Sequence, residues 1–527
     1  MKSGEQKQPE LIRSLLQPAV YGHPVSDIQL IETHISWLIL TGDYVYKIKK
    51  PVNLGFLDFS TLEKRRFCCN EELRLNSRLA AEIYLDVVAI TGTPGKPVLQ
   101  GSGEAIEYAV RMVQFPQQAQ LDNMLAEGKL HHNHIDAIAV MVAKFHQATN
   151  IAPADSDFGD PQHVYHPVAE NFSQIREHLQ TNDYEHELAE LESWSKSAFA
   201  ALTPVFDQRK QGGFIRECHG DMHLRNLVWF NNKPMAFDCL EFNPALRWID
   251  TLSEVAFLVM DLQDRKQPEL AQRFLNNYLQ QSGDYQGVQV LRFYLAYRAL
   301  VRAKVAAIRA GQQGIAEAEQ NEAIAEFQAY LQLAQSYTRP CNPALIITRG
   351  MSASGKSTLT QPLLETMGAI RIRSDVERKR LFGIDPAADS KAEIGSGIYT
   401  AEAGVKTYTK LKQLAQVVLD AGVTVIIDAA FLKSGQRQPF RQLADAMKVP
   451  FIILEFTASA DTLRSRIKAR AHEVSDADLA VLEHQLVSTR PLSDEELPYR
   501  ILINTESSFD AEKLAVDIGR KANAQNR

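Results

Sequence analysis

CHGDMHLRNL, Cys218 to Leu227, followed by MAFDCLEF, Met235 to Phe242, decides how the longer part of this chain must fold. In an in-line phosphoryl transfer, a loop aspartate orients and deprotonates the acceptor hydroxyl. An asparagine on the same loop holds a magnesium ion, and a second aspartate, after a following strand, bridges the metal to the β and γ oxygens. Asp221, Asn226 and Asp238 stand in that order. The same chemistry needs a strand lysine on the α/β-phosphates, held by a helix glutamate. Lys47 is the candidate, because Tyr44, Tyr46 and Ile48 alternate around it as in a strand. Glu72, on the next helical stretch, is its expected partner, with Lys49 and Glu71 as alternatives. A competing reading makes His219, Asp221 and His223 a metal cluster, but it leaves Asn226 and the strand before Asp238 unexplained. No glycine-rich loop precedes Lys47, only ETHISWLILTGD, so the cover over the phosphates is unassigned.

A second signature follows: LIITRGMSASGKST, Leu345 to Thr358. Gly350 to Ser357 matches GxxxxGK[ST], with an apolar strand before it and a helix start after it. The expected nucleotide contacts are Gly350, Ser352, Ala353, Ser354, Gly355, Lys356, Ser357 and Thr358. Backbone N–H groups surround the β-phosphate, Lys356 reaches the β/γ oxygens, and the Ser357 hydroxyl ligates magnesium. Asp375 follows a short strand in RIRSDVERKRLFG, where a carboxylate can take a proton from an attacking hydroxyl. Arg373 and Arg378 flank it and suit an anionic substrate; the plainer reading is a capping aspartate beside a solvated basic helix face. Asp428 ends the strand VTVIID and suits a magnesium-water contact. Arg466 and Arg470 share a helix face at i, i+4, either as a lid over phosphates or as a solvated face.

The rest of the sequence fits two such halves. A chain of 527 residues exceeds a single core. Hydrophobic content of 45% and charged content of 23% are those of a globular protein, and a net charge of −7 gives no footprint for long nucleic acid or anionic membranes. Five cysteines without CxxC spacing point to a reducing cytoplasm, not to disulfides or a zinc site. The polar start MKSGEQKQPELIRSLLQP has no signal-peptide core, and the apolar run Val417 to Leu432 is broken by Asp420 and Asp428, so no membrane segment is expected. Residues 28–50 read as two strand runs joined by Thr41-Gly42-Asp43, Leu62 to Leu79 as a helix, and Glu107 to Met112 as a strand. The pattern turns helical from about Leu121. Thr338 to Pro343, with two prolines, is the expected boundary, and each side is expected to fold alone. After it, LIIT, VTVIID and PFIILEF alternate with helices, as in a parallel α/β sheet. HHNH at 131–134 reads as a polar helix start. Arg298 and Arg302 share a face of an apolar helix and need acidic partners or an anionic ligand.

HGDMHLRN, with VAKFHQ before it and RWIDTLSEVAF after it, resembles the aminoglycoside phosphotransferase/choline kinase branch of the kinase fold. The resemblance implies Asp221 as base, Asn226 and Asp238 as magnesium ligands, and Asp250 and His219 as braces of the catalytic loop. GMSASGKST, RSDVERKRLFG, VIIDAAFL with Arg437, and LRSRIKAR resemble the P-loop kinases that include zeta toxins, the polynucleotide kinase domain and gluconate kinase. That likeness implies Asp375 as base or substrate anchor and Arg466 and Arg470 as phosphate contacts. The expected architecture is an α+β, protein-kinase-like bilobal domain over 1–338 (small lobe about 1–114, helical lobe about 115–338). An α/β P-loop NTPase domain with a parallel sheet follows over 344–527. The tandem resembles bacterial bifunctional predicted kinases. The expected function is ATP- and Mg2+-dependent phosphorylation of small-molecule hydroxyls in the cytoplasm, one site per domain. Two alternatives stand beside it. One half is a nucleotide-sensing module for the other, or the P-loop half acts on a nucleotide sugar or a nucleic-acid 5′ end.

Overall fold

The computed structural model describes residues 8–55, 57–179, 183–312, 314–385, 398, 400–469 and 479–525. The chain divides into two compact units that interleave in sequence. The first is Met1–Asp261 with Tyr297–Gln332, and the second is Leu262–Ala296 with Leu333–Arg527.

The first unit opens on an antiparallel sheet built from β1 (Gln29–Glu32), β2 (Ser36–Leu40), β3 (Tyr44–Lys49), β4 (Tyr84–Thr93), β5 (Lys96–Leu99) and β6 (Glu107–Val113). The strand order is β1-β2-β3-β6-β4-β5. The expected pair of runs over 28–50 is therefore three strands. Thr33 splits the first run by donating and accepting hydrogen bonds with Ser36 across a tight turn. Alternation fixes the pleat: Trp37, Ile39, Tyr46 and Ile48 pack with Val88, Ile90 and Ala109 in one core. The helix Leu62–Ala80 covers the sheet, its N-terminal amide at Lys64 taken by the Thr61 hydroxyl.

In the helical part, β7 (Ile215–Glu217) pairs with β10 (Trp248–Asp250), and β8 (Leu227–Phe230) with β9 (Lys233–Ala236). The β8–β9 hairpin turns on Asn231 and Asn232, both in the left-handed region at φ 51° and 59°. Two consecutive positive φ values give a turn whose twist matches antiparallel strands. This hairpin matters for chemistry because Asn226 precedes it and Asp238 follows it.

The second unit holds a fully parallel sheet of β11 (Leu345–Arg349), β12 (Ile370–Arg373), β13 (Val425–Asp428), β14 (Phe451–Thr457) and β15 (Arg500–Asn504), in the order β12-β13-β11-β14-β15. β11, β13 and β12 are almost wholly buried, as strands covered on both faces must be. The helix Pro268–Ser282 lies along the β12 edge. Asn276 accepts from the Arg371 amide (2.8 Å) and donates to the Ala369 carbonyl (3.0 Å), while Gln272 donates to the same carbonyl at 2.8 Å. A helix thus satisfies, through two side chains, backbone groups that another strand would otherwise pair. No helix among the described residues is long and apolar enough to cross a membrane.

Candidate active sites

The first cluster forms where the β8–β9 hairpin closes. The Phe237 amide donates to the Asn226 carbonyl at 3.0 Å, which sets the residue before the hairpin beside the segment after it. The Asn226 side-chain NH2 donates to the Asp221 carbonyl (3.0 Å) and carboxylate Oδ2 (2.9 Å). Asp238 sits at φ 64°, a strained value for a non-glycine residue, with its amide held by the Tyr84 hydroxyl at 3.1 Å. Its side chain is 49% exposed, while its Oδ1 accepts from Lys47 at 2.5 Å. Oxygen donors from an asparagine and a carboxylate match a hard divalent cation such as Mg2+.

Lys47 also meets Glu72 at 2.8 Å. Lys49, 1% exposed, takes the other Glu72 oxygen at 2.6 Å and also binds Glu241. Both lysines of the strand thus share Glu72, but Lys47 is the one that reaches Asp238. Glu71 turns to Arg74 and Arg247 instead. Burial alone would push the Glu72 carboxyl up, yet the two ammonium groups hold it down at about 2. For a depressed carboxyl, the stability contribution is present above the ordinary value of 4.5 and lost as pH falls toward about 2. The wild-type denaturation midpoint should fall across that window, and Glu72→Gln should remove this part of the slope.

Asp221 is likewise held down. Burial pushes it up, but His223, His219 and Arg302 together outweigh it. His223 Nε2 lies 3.3 Å from Oδ2, the oxygen that the Asn226 side chain also binds. Burial lowers His219 below its ordinary value, and its Nε2 pairs with the Phe237 carbonyl at 2.9 Å while Nδ1 accepts from the Asp221 amide at 3.3 Å. Both ring nitrogens of His219 thus engage backbone groups of the loop region. Asp250, the expected brace, binds Arg209 at 2.6 and 2.7 Å and the Leu252 amide through its carboxylate. Glu254 also holds the loop, accepting from the Gly220 amide at 2.6 Å and pairing with His146 at 2.8 Å. Cys218 lies within 4.8 Å of that His146–Glu254 pair, all three buried, as part of the same brace. The HHNH tract caps a helix: the His131 amide donates to His134 Nδ1 at 3.0 Å, and the His134 ring packs edge-on against Trp229.

The second cluster surrounds the 350–357 loop. A Cβ on Gly350 would stand 2.6 Å from Ser354 Oγ and 2.8 Å from the Phe456 carbonyl, so the backbone passes where no side chain fits. Ala353 and Gly355 adopt φ 61° and 85°. Such left-handed kinks turn successive amides inward, which is how a loop cradles phosphate. Lys356 Nζ donates to the Gly350 and Met351 carbonyls at 2.8 and 2.7 Å. Thr358 lies in the first turn of the helix Lys356–Met367. The Ser357 hydroxyl donates to Asp428 at 2.7 Å, joining the two expected magnesium-side groups. Arg373 lies 3.8 Å from the same carboxylate. Asp375 is half-buried in the first turn of the helix Ser374–Leu381. Arg466 donates to Thr505 Oγ1 and its carbonyl, both 2.8 Å, and lies 3.4 Å from the Ala353 carbonyl, beside the loop. Arg470 lies outside the described residues. No motif points to Gln485, whose Oε1 accepts from the Ser352 amide at 2.8 Å.

The comparisons with known proteins agree with this geometry. The profile of the phosphotransferase enzyme family matches residues 72–294, and an AAA domain profile matches 345–492. Uncharacterized protein Rv2004c of Mycobacterium tuberculosis and Mb2027c of Mycobacterium bovis are each 31% identical over 458 residues, 86% of this chain and 89% of theirs. The chain belongs to one family with these two proteins, a phosphotransferase-family domain followed by a P-loop kinase domain. It is an ATP-dependent kinase. Among solved structures, a choline/ethanolamine kinase family protein from Mesorhizobium loti is similar over 62% of this chain and 98% of its own, at 11% identity and TM-score 0.38. A sugar kinase from Janibacter sp. HTCC2649 is similar over 35% and 99%, at 19% identity and TM-score 0.27.

Proposed function

We propose that the protein is bifunctional, phosphorylating hydroxyl groups of small molecules at one site in each half. Its domains along the sequence are 1–338 and 344–527, with residues 262–296 of the first stretch packing into the second compact unit, and it works in the cytoplasm with ATP and Mg2+. In the first half, Asp221 Oδ1 receives the acceptor's proton as the oxygen–phosphorus bond forms and the bond from the γ-phosphorus to the β–γ bridging oxygen breaks. Lys47, fixed by Glu72, holds the phosphates. Asn226 and Asp238 hold the metal, which when bound neutralises charge on the phosphate oxygens. In the second half, Lys356 and the loop amides hold the nucleotide and Ser357 and Asp428 the metal. Asp375 is the base there, and Arg466 and Arg470 close on phosphate.

The observation that carries this reading is the duplication of one juxtaposition. A phosphate-binding element meets a carboxylate suited to a metal twice, at Lys47–Asp238 and where Ser357, next to Lys356 in the kinked loop, meets Asp428. Calorimetric titration with a non-hydrolysable ATP analogue and Mg2+ should give a stoichiometry near two. Lys356→Ala should bring it to one. A wild-type value of one in a folded sample overturns bifunctionality.

A further inference from the structure

The helix Val288–Ala310 carries Arg298 and Arg302 one turn apart on one face. Arg298 is fully used. It donates to the Ser253 and Gly220 carbonyls at 3.1 and 3.3 Å, and its guanidinium stacks over Phe257 and Tyr297. Its bond to Gly220 fixes this helix beside the residue that precedes Asp221.

Arg302 is placed differently. Its contacts are Tyr330 Oη at 3.4 Å and Glu326 at 3.5 Å, long for a charge-assisted bond of about 2.7–2.9 Å. Glu326 has a nearer partner in Arg309, at 3.0 Å. The Arg302 side chain is 20% exposed, and the Tyr330 ring lies under it at 5.5 Å. Arg302 follows one turn after Arg298, whose bond to the Gly220 carbonyl sets this helix face beside the Asp221 loop. A guanidinium largely removed from water, whose contacts among the described residues are long, has capacity left for an anion.

We propose that Arg302 forms an anion subsite next to Asp221, so that the acceptor of the first half carries a carboxylate or phosphate beside the hydroxyl that is phosphorylated. This rests on the kinase reading of that half. The planar fork of Arg302 binds the anion while Glu326 keeps Arg309. A cationic acceptor meets repulsion at the same point.

The test uses the full chain in a Lys356→Ala background, which silences the second site. Gluconate, glucose 6-phosphate, glucose and glucosamine are compared as acceptors, following ADP formation and the acceptor's KM. One of the two acids should be preferred, and which one separates carboxylate from phosphate. Arg302→Glu should raise the KM of that acid about 10- to 100-fold with little change in kcat, and Arg302→Lys should recover part of the loss. Preference for glucosamine, or an unchanged acid preference in Arg302→Glu, overturns the subsite. A second readout needs no turnover. With a non-hydrolysable ATP analogue and Mg2+ present, gluconate or glucose 6-phosphate should raise the melting temperature of the chain, and should not in Arg302→Ala. Equal shifts in both proteins overturn the proposal whatever the kinetics show. ADP formation insensitive to Asp221→Asn would instead strike at the kinase reading itself.

Discussion

Asp221→Asn is expected to lower turnover at the first site by about 10²–10⁴, with nucleotide affinity nearly unchanged. The substitution is close to isosteric, and an amide oxygen at 221 still accepts from the Asn226 side chain, which lies 2.9 Å from Oδ2 in the wild type. What disappears is the negative oxygen able to take a proton. Asp238→Ala should behave in the opposite way. It removes a metal-facing carboxylate and leaves Lys47 with Glu72 alone, so Mg2+-dependent nucleotide binding should weaken along with rate. Affinity by calorimetry and phosphate transfer in the Lys356→Ala background separate the two. If Asp221→Asn lost affinity while Asp238→Ala kept it, the roles of the two carboxylates would be reversed.

Asn276→Leu should destabilise the second unit by about 2–6 kcal/mol. The residue is 4% exposed and serves the Arg371 amide and the Ala369 carbonyl on the edge strand. Leucine has similar bulk and no polar atoms, so both backbone groups lose that partner at about 1–3 kcal/mol each. The Ala369 carbonyl keeps Gln272, which places the expected value toward the lower end. Denaturant melts of the full chain, followed by a probe in the second unit, measure it. A fragment starting at residue 344 carries the same defect in larger form, since it lacks the whole helix Pro268–Ser282. It should aggregate where the full chain does not. A soluble fragment with a cooperative melt would show the edge to be self-sufficient, as the proline-rich link by itself suggests.

The chemistry of both sites was legible because it lies in short contiguous motifs. A strand, a kinked loop and a helix are local, and GMSASGKST specifies all three. The paired asparagines at 231 and 232 explain why residues on either side of a hairpin meet. What spacing left open was choice among neighbours. Lys47 and Lys49 share a strand face and both reach Glu72, and only the reach to Asp238 distinguishes them. Glu254 carries no motif signature, and only the fold shows that it accepts from the Gly220 amide. The membership of residues 262–296 in the second unit left no local trace, because Asn276 and Gln272 look like ordinary polar helix residues until their strand is known.

That interleaving has a consequence during synthesis. Residues 262–296 leave the ribosome before β11 begins at Leu345, so the helix that covers the β12 edge is made before the sheet exists. The first unit is also incomplete until residue 332 has emerged. The first unit can then close while the second is still being translated, but the second must wait for residues 333–527, and closing that long loop slows folding. The half-made chain therefore displays an unclaimed apolar helix face for the whole time the second unit is being translated. It is at this stage that the protein should depend most on chaperones.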